Sequence, residues 1–471
     1  MILTLVINEW RAILRDGRGR LVFGLGILLA VTSTWTSSST FARQERAQEA
    51  AVEAARFAWE DREVDSAHSR AHFGDYVFRP SGVMSALDPG LQAVTGRIVF
   101  TEAHRQNDAI HRPQQAAAEL LRYNRLEPSN VLQILATLVI VLAGFGIVSS
   151  ERESGRLRLL QVQGVRPRQL LLAKHLALWT VGVVLCLVVV GANLILAEDV
   201  DMKRIGAFLG LHMTLMWVVA ALVTGVSAKV ERSGTAAAIL LSFWVGGAIV
   251  LPRLAAMSAG ALDPLPGRDV FQAAMQADRE QGLDGHNPLD DRRKELEQEI
   301  LAKYGVETRA ELPVSLGGLI MQADEEYGAK VWDKHFGELE DHLRRQDHVV
   351  GNFSLINPFQ ATNRLSMALA GTGLNSHLEF LRQTEHYRRE LVRRLNNEDA
   401  YGVARNEEGR LERTTTKDFY LSFNSFEYIP LRINEMLAKL RMDMLALALW
   451  VLGATIYLTL TARGMTTRNR S

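Results

Sequence analysis

The chain has 471 residues, with 53 Lys and Arg against 53 Asp and Glu, so no bulk attraction to nucleic acid or to an anionic surface is implied. Its single cysteine, Cys186, excludes an intrachain disulfide and lies in an apolar run, where it reads as a small buried side chain. Hydrophobic residues make up 48% of the chain, and it is their clustering that carries information.

A helix needs about 20 apolar residues to cross a bilayer. Six runs meet that length, at 21–40, 129–148, 175–196, 205–226, 234–252 and 444–462, and none contains Asp, Glu, Lys or Arg. This predicts an all-α polytopic membrane protein with six transmembrane helices and two α-rich external insertions.

In chain order, residues 1–20 carry Leu3, Ile7, Trp10 and Leu14 on one helical face with Arg11 and Arg15 beside it. That pattern suits an amphipathic elbow lying in the cytoplasmic interface, or a first span that simply begins earlier. A cleaved signal peptide is the competing reading of Leu21 to Val31. After span one (21–40), the first external segment (41–128) opens on strong helix formers that extend the span outward. It then passes through the turn-rich stretch RPSGVMSALDPG, and residues 96–101 (GRIVFT) are its best strand candidate. Span two (129–148) leads to the loop 149–174, and spans three to five occupy 175–252. A large external helical domain follows at 253–443, with helices predicted at 268–283, 289–304, 319–349, 376–396 and 430–443. Pro288 and Pro430 read as helix starts, the second running straight into span six (444–462) and the tail 463–471.

The arginines set an expected orientation. The N-terminal stretch, the loop 149–174, the short loop 227–233 and the tail together hold 15 basic residues against five acids, leaving an acidic excess elsewhere. Alternating spans put all four segments on one side, so both termini are expected in the cytoplasm and both large insertions outside.

Enzymatic motifs are missing: the sequence has no GxxxxGK[ST] phosphate loop, no HExxH and no GxSxG. No catalytic, cofactor or metal residues are therefore assigned. His68 and His72 stand at i and i+4, a spacing that can offer two imidazoles to one metal, although solvated helix-surface histidines have the same spacing. His377, Glu385 and His386 form a second loose cluster, in which Glu385 can equally pair with Arg388 or Arg389. His212, inside span four, reads as an interhelical hydrogen-bonding group or a functional one.

The loop ERESGRLRLLQVQGVRPRQLLLAKH (151–175) joins a charged start to a leucine-rich helical run, a break at Gly164 to Pro167, and a second run ending at Lys174. On Glu151, Arg152, Glu153, Gly155, Leu157, Leu159, Leu160, Arg168 and Lys174 it resembles the ABC-2 type permease family. In that family this loop is the coupling helix that docks into a nucleotide-binding subunit. Arg156 stands where the family has Thr, and Ala173 where it has Gly. Residues 357–396 look similar to a domain of unknown function that some of these permeases carry between the last two spans. The matching positions are Pro358, Ala370, Gly371, Thr372, His377, Phe380, Glu385, Tyr387 and Arg388.

The resemblance implies a permease subunit of an ATP-driven exporter in the bacterial inner membrane. It further implies a separate ABC ATPase subunit that binds ATP and Mg, a second permease subunit (identical or paralogous), contact with membrane lipid and room for an envelope partner, but no nucleic acid. Two other expectations stand beside it: a non-translocating mechanotransmission or envelope-maturation machine driven by the same ATPase, and a membrane-anchored external enzyme.

Overall fold

The computed structural model describes residues 1–63, 66–81, 83–110, 126–197 and 200–467. Gly82, Arg468 and Arg470, singled out above, lie outside the described residues. Among them, six helices are long and apolar enough to cross a membrane: Gly17–Asp61, Pro128–Glu153, Pro167–Leu196, Met202–Lys229, Ser233–Leu262 and Arg441–Met465. Each contains one of the six apolar runs, and they are called spans one to six. Ile140 of span two, Leu178 and Leu185 of span three, and Leu215 and Met216 of span four are almost fully buried and form the centre of the bundle. Spans one, five and six instead leave apolar stripes uncovered, such as Leu445, Leu449, Leu452, Ile456 and Leu460. A stripe at i, i+4, i+7 spacing with no protein cover is what a lipid-facing or partner-facing surface requires.

The N-terminus is a separate helix, Ile2–Arg15, so the elbow is the correct alternative and the extended span is not. Asp16 is extended and its carboxylate accepts from the Gly19 backbone N–H (3.2 Å), capping span one. Trp10 donates to Thr180 Oγ1 of span three (2.8 Å), which holds the elbow against the bundle.

Two spans contain a π-helical turn, and each turn meets a side chain from elsewhere. In span two the turn is Val131–Ala136, and the Trp244 indole of span five donates to the Ile134 carbonyl (3.2 Å) and to Thr137 Oγ1 (3.1 Å). In span five the turn is Gly246–Val250, just before Pro252, which has no N–H and would clash with an ordinary α-helical carbonyl. The loosened turn absorbs that clash, and Asn357 Nδ2 donates to the Gly247 carbonyl (2.9 Å). A Cβ on Gly247 would lie 2.9 Å from the Phe359 ring, so the contact needs glycine there. The helix also runs to Leu262, beyond the predicted end at 252, because the stretch past Arg253 (LAAMSAGAL) is rich in Ala, Leu and Met, which are strong helix formers.

The insertions are mostly helical, with two small sheets. Strand Asp75–Phe78 pairs antiparallel with Ile98–Thr101, the strand predicted within GRIVFT. A second hairpin, Val403–Arg405 with Leu411–Arg413, has no alternating pattern and was not predicted. Helices Arg268–Gln281, Leu289–Tyr304, Leu316–Asn352 and Leu374–Tyr401 correspond to predicted ones. The expectation that a helix from Pro430 runs into span six is corrected: helix Ile433–Lys439 stops at Leu440, whose backbone (φ −114°, ψ 25°) is not helical, before span six begins at Arg441.

A further helix, Pro358–Ala370, is buried along nearly its whole length and sits on the end of the bundle opposite the elbow. It is called the cap helix. Its Arg364 donates through Nε to Asp443 in the first turn of span six (2.9 Å) and through both Nη atoms to Asp347 (2.6 and 3.0 Å). Ser354 Oγ donates to the same Asp443 oxygen (2.5 Å). Breaking a buried ion pair by removing one partner costs about 3–5 kcal/mol because the other charge is stranded. Arg364→Met should therefore lower the melting temperature of the detergent-purified protein by several degrees, and Arg364→Lys, which keeps the charge without the planar fork, should fall between. Equal melting curves for all three would show that the network contributes nothing to stability.

Candidate functional site: the coupling loop and the cap helix

The loop between spans two and three is built on the end of the bundle that carries the basic segments. Helix Ser149–Glu153 ends at Ser154, Gly155 takes a left-handed conformation (φ 74°) that favours glycine, and a second short helix, Arg156–Val162, follows. Gly164 (φ 87°) turns the chain again, and Pro167 opens span three at its first helical position, as the break between them predicts.

The charged residues at the start of this loop are bonded to other elements of the protein. Lys174 is fully buried, with Nζ 2.6 Å from Glu9 of the elbow and 2.9 Å from Glu151. Arg152 donates to the backbone carbonyls of Ala228 (2.6 Å) and Val230 at the end of span four. The Glu153 carboxylate accepts from the Ser233 N–H and hydroxyl, both at 2.9 Å, and so caps the N-terminus of span five. Ser227 Oγ accepts from the N–H groups of Val148 (3.1 Å) and Ser149 (3.2 Å). One short segment thus touches the elbow and spans three, four and five.

Its leucines divide between two roles. Leu157 is buried against Val148, Leu170 and the last span's Leu458, and Leu160 is half-buried on the same cluster. Leu159 and Val162 stand out from the surface at 58% and 79% exposure. The exposed apolar ridge is therefore Leu159 with Val162, three residues apart on one helical face, rather than Leu159 with Leu160.

At the other end, the motif residues from Pro358 to Thr372 pack the cap helix. Pro358 occupies its first turn, and the Asn357 carboxamide oxygen accepts from the Phe359 N–H (3.1 Å). Gly371 ends it in a left-handed conformation (φ 71°), and its carbonyl accepts from Arg79 (2.6 Å). Thr372 accepts at its carbonyl from the Leu91 N–H (3.0 Å) and donates its hydroxyl to Met367 (3.2 Å). The cap helix also reaches four spans. Asn357 bonds to span five, Asn363 donates to Gln133 of span two (3.3 Å), Arg364 bonds to span six, and Arg204 of span four donates to the Leu369 carbonyl (3.0 Å).

The second half of the motif lies on helix Leu374–Tyr401 and is structural in its contacts. Glu385 holds Arg388 through two bonds (2.8 and 2.9 Å) and Arg389 through one (2.7 Å), so both predicted pairings occur together. Arg388 also reaches Glu325 (3.1 Å) and lies over the Trp332 ring. Burial raises the Glu325 carboxyl, but His104 and Arg388 outweigh it and hold the group below its ordinary value. Tyr387 donates to Asp75 (3.1 Å) and to the Asn424 carbonyl (3.2 Å), joining the two insertions. His377 is half-buried in the first turn of this helix. Eight residues of helix put it about 12 Å from Glu385 along the axis, so they do not form one site. His212 is buried and accepts at Nε2 from Gln133 (3.4 Å) while Nδ1 donates to the Phe208 carbonyl (2.9 Å), the interhelical role expected of it. His68 and His72 do come together, and His104, not singled out from the sequence, joins them.

Asp88 of the first insertion lies beneath the cap helix, where it accepts from Ser366 Oγ (2.5 Å) and the Gly90 N–H (3.1 Å). Burial pushes its carboxyl up to about 6, only partly offset by these bonds. A raised carboxyl pKa means that the folded state holds the proton more tightly than the unfolded one. The stability this gives is complete below the unfolded value near 4 and is lost as pH rises to about 6, amounting to roughly 3 kcal/mol. Unfolding free energies of wild type minus Asp88→Asn should fall by that order between pH 4 and 6 and then level. A pH-independent difference would remove Asp88 from the linkage.

Comparison with known proteins gives two family matches. Residues 114–263 match the ABC-2 family transporter protein, and residues 271–429 match a domain of unknown function, DUF3526. No curated protein matches the chain. The first match covers spans two to five with the loop, and the second covers the helical insertion that supplies the cap helix and helix Leu374–Tyr401. The chain thus carries an ABC-2 family transporter domain with a DUF3526 domain C-terminal to it, which matches an ABC-2 permease with an extra domain.

Proposed function

We propose that the chain is the membrane-spanning permease subunit of an ATP-driven ABC-2 type exporter, working with a separate ATPase subunit that binds ATP and Mg. The observation that carries this reading is the helix Arg156–Val162. It projects an uncovered apolar ridge, Leu159 and Val162, from a base locked to the elbow and to spans three, four and five. A push on the ridge cannot be absorbed locally, because Lys174, Arg152 and Glu153 tie its base to four elements, and so it displaces spans. Permease subunits pair in this reading, as identical or paralogous copies, through the uncovered apolar faces of spans one, five or six. The basic end lies in the cytoplasm of a bacterial inner membrane, and the insertions lie outside.

A second reading has one observation in its favour. The cap helix is bonded to spans two, four, five and six, so displacement of the bundle would move the insertion with it. On that reading the protein relays ATP-driven motion to an envelope partner without translocating a cargo.

Two experiments test the proposal. Burying a Leu or Val side chain contributes about 1.5–3 kcal/mol, so the double substitution Leu159→Ser with Val162→Ser should cut co-purification of the ATPase at least tenfold. Its melting temperature should stay at the wild-type value, whereas Leu157→Ser, inside the cluster, should lower it. Undiminished ATPase capture by the double variant would remove the ridge from the docking surface. For orientation, cysteines placed at His286 and Asn397 should react with a membrane-impermeant thiol reagent in intact cells, and one at Gln161 should not. The reverse pattern would invert the topology.

A further inference from the structure

Three histidines meet on the surface of the insertions. His68 and His72 lie one turn apart on helix Ala67–Phe73, and His104 follows the strand Ile98–Thr101. One ring nitrogen from each falls within 4.8 Å of the other two, and Nε2 of His68 and Nε2 of His72 are 2.9 Å apart. Nothing in the family match, the coupling loop or the cap helix uses this cluster.

The surroundings fix which nitrogens are free to ligate. His68 Nδ1 donates to Asn396 Oδ1 (2.8 Å), and that amide is held in this orientation because its Nδ2 donates to Gln322 Oε1 (3.3 Å). His104 Nδ1 lies 2.8 Å from the Glu325 carboxylate, itself held by Arg388. In both rings the Nδ1 proton is taken by an oxygen acceptor, which leaves the Nε2 lone pair for a ligand. A carboxylate or amide oxygen behind a ligating imidazole is the arrangement that orients histidines in metal sites. The backbone at His104 is also held in place: its φ is 62°, its N–H donates to Glu325, and its carbonyl accepts from Arg279 (2.8 Å). It is the one non-glycine residue at positive φ among the described residues, a conformation that costs energy and persists only where the surroundings impose it.

We propose that His68, His72 and His104 bind one divalent transition-metal ion of the zinc class, with Asn396 and Glu325 as positioning residues. Three neutral imidazoles suit a borderline cation, whereas calcium and magnesium take oxygen ligands. The chain's single cysteine lies in span three, so no thiolate joins the set. Zinc–nitrogen bonds of 2.0–2.1 Å in tetrahedral geometry place donor nitrogens about 3.4 Å apart. The His68–His72 pair, now 2.9 Å apart, must open slightly to reach that separation. In the metal-free pair His72 Nε2–H donates to His68 Nε2, and on binding that proton moves to solvent or to His72 Nδ1. His72 is exposed, so the fourth position faces solvent and is open to water or to a ligand from a partner. The three ligands come from two separate pieces of the first insertion, and both supports come from the second, so a bound ion would tie the insertions together.

The test uses the full chain in detergent, without a polyhistidine tag, stripped with chelator and then titrated with Zn(II) or Co(II). Wild type should bind one Zn(II) per chain, and Co(II) should give the visible bands of a four-coordinate nitrogen site. His72→Ala, at an exposed position, and His104→Asn, which tolerates the left-handed backbone, should each weaken binding at least 100-fold. His286→Ala, outside the cluster, should leave it unchanged. Folding is checked by gel filtration and melting temperature. No stoichiometric binding by folded wild type overturns the proposal. Wild-type affinity in His104→Asn overturns the three-histidine assignment, because it would reduce the site to a helix-surface pair.

Discussion

The contact on which the architecture depends is the guanidinium of Arg364 between Asp347 and Asp443. A charged side chain at 8% exposure beside a membrane domain is costly unless its donors are matched. Here the fork of Asp347 and the Asp443 oxygen match them, and the Ser354 hydroxyl donates to that same Asp443 oxygen. The three groups come from helix Leu316–Asn352, the turn before the cap helix, and the first turn of span six. The polar cap helix can therefore be buried at the end of an apolar bundle. Once buried, it supplies the partners the spans need: Asn357 for the loosened turn of span five and Asn363 for Gln133. The insertion is in this sense part of the membrane domain's own hydrogen bonding and not an appended module.

The opposite end uses the same device with different residues. Lys174 is buried because Glu9 and Glu151 reach it from the elbow and the loop, and their spacing fixes the angle at which the elbow meets span three. Arg152 and Glu153 then satisfy the backbone at a span end and a span start, where four carbonyls and four N–H groups have no partner within their own helix. Glu151, Arg152 and Glu153 are thus used within the subunit, and what the loop leaves exposed is the Leu159 and Val162 ridge flanked by Arg156, Arg158, Arg166 and Arg168. This division explains why a short loop helix with few contacts of its own can still be rigid at its base.

Much of this was legible in the sequence. Long apolar runs free of charge can only be satisfied by spanning helices, and all six were located from that constraint. The elbow, the Gly164–Pro167 break and the GRIVFT strand followed from local signals. Their outer limits did not, because strong helix formers continue the helix beyond the apolar run, as in span one to Asp61 and span five to Leu262. The cap helix was hidden because its polar residues, Gln360, Asn363 and Arg364, match no amphipathic pattern, and their partners lie in distant segments. The partners of Glu151 and Glu153 were hidden for a similar reason: Lys174 and Ser233, which claim them, lie in other helices. His68 and His72 were visible as a pair by helical spacing. Their third member, His104, is set by the register of a two-stranded sheet that periodicity cannot supply.

The two π-helical turns bear on how the ends communicate. Each lies toward the cap-helix end of its span, and the two spans are joined by the Trp244 bonds to Ile134 and Thr137. Span two then continues through Gln133 to Asn363 of the cap helix and to His212 of span four, a chain in which every donor has an acceptor. A π turn interrupts the regular i→i−4 ladder of its helix and is frequent at functional sites. In spans two and five those turns lie next to polar side chains that can follow the released carbonyls. Under the proposed coupling, motion at the loop would reach the cap helix through these two loosened turns, where a helix can bend. The fully α-helical course of span four between Arg204 and Lys229 makes it the fixed element against which they would move.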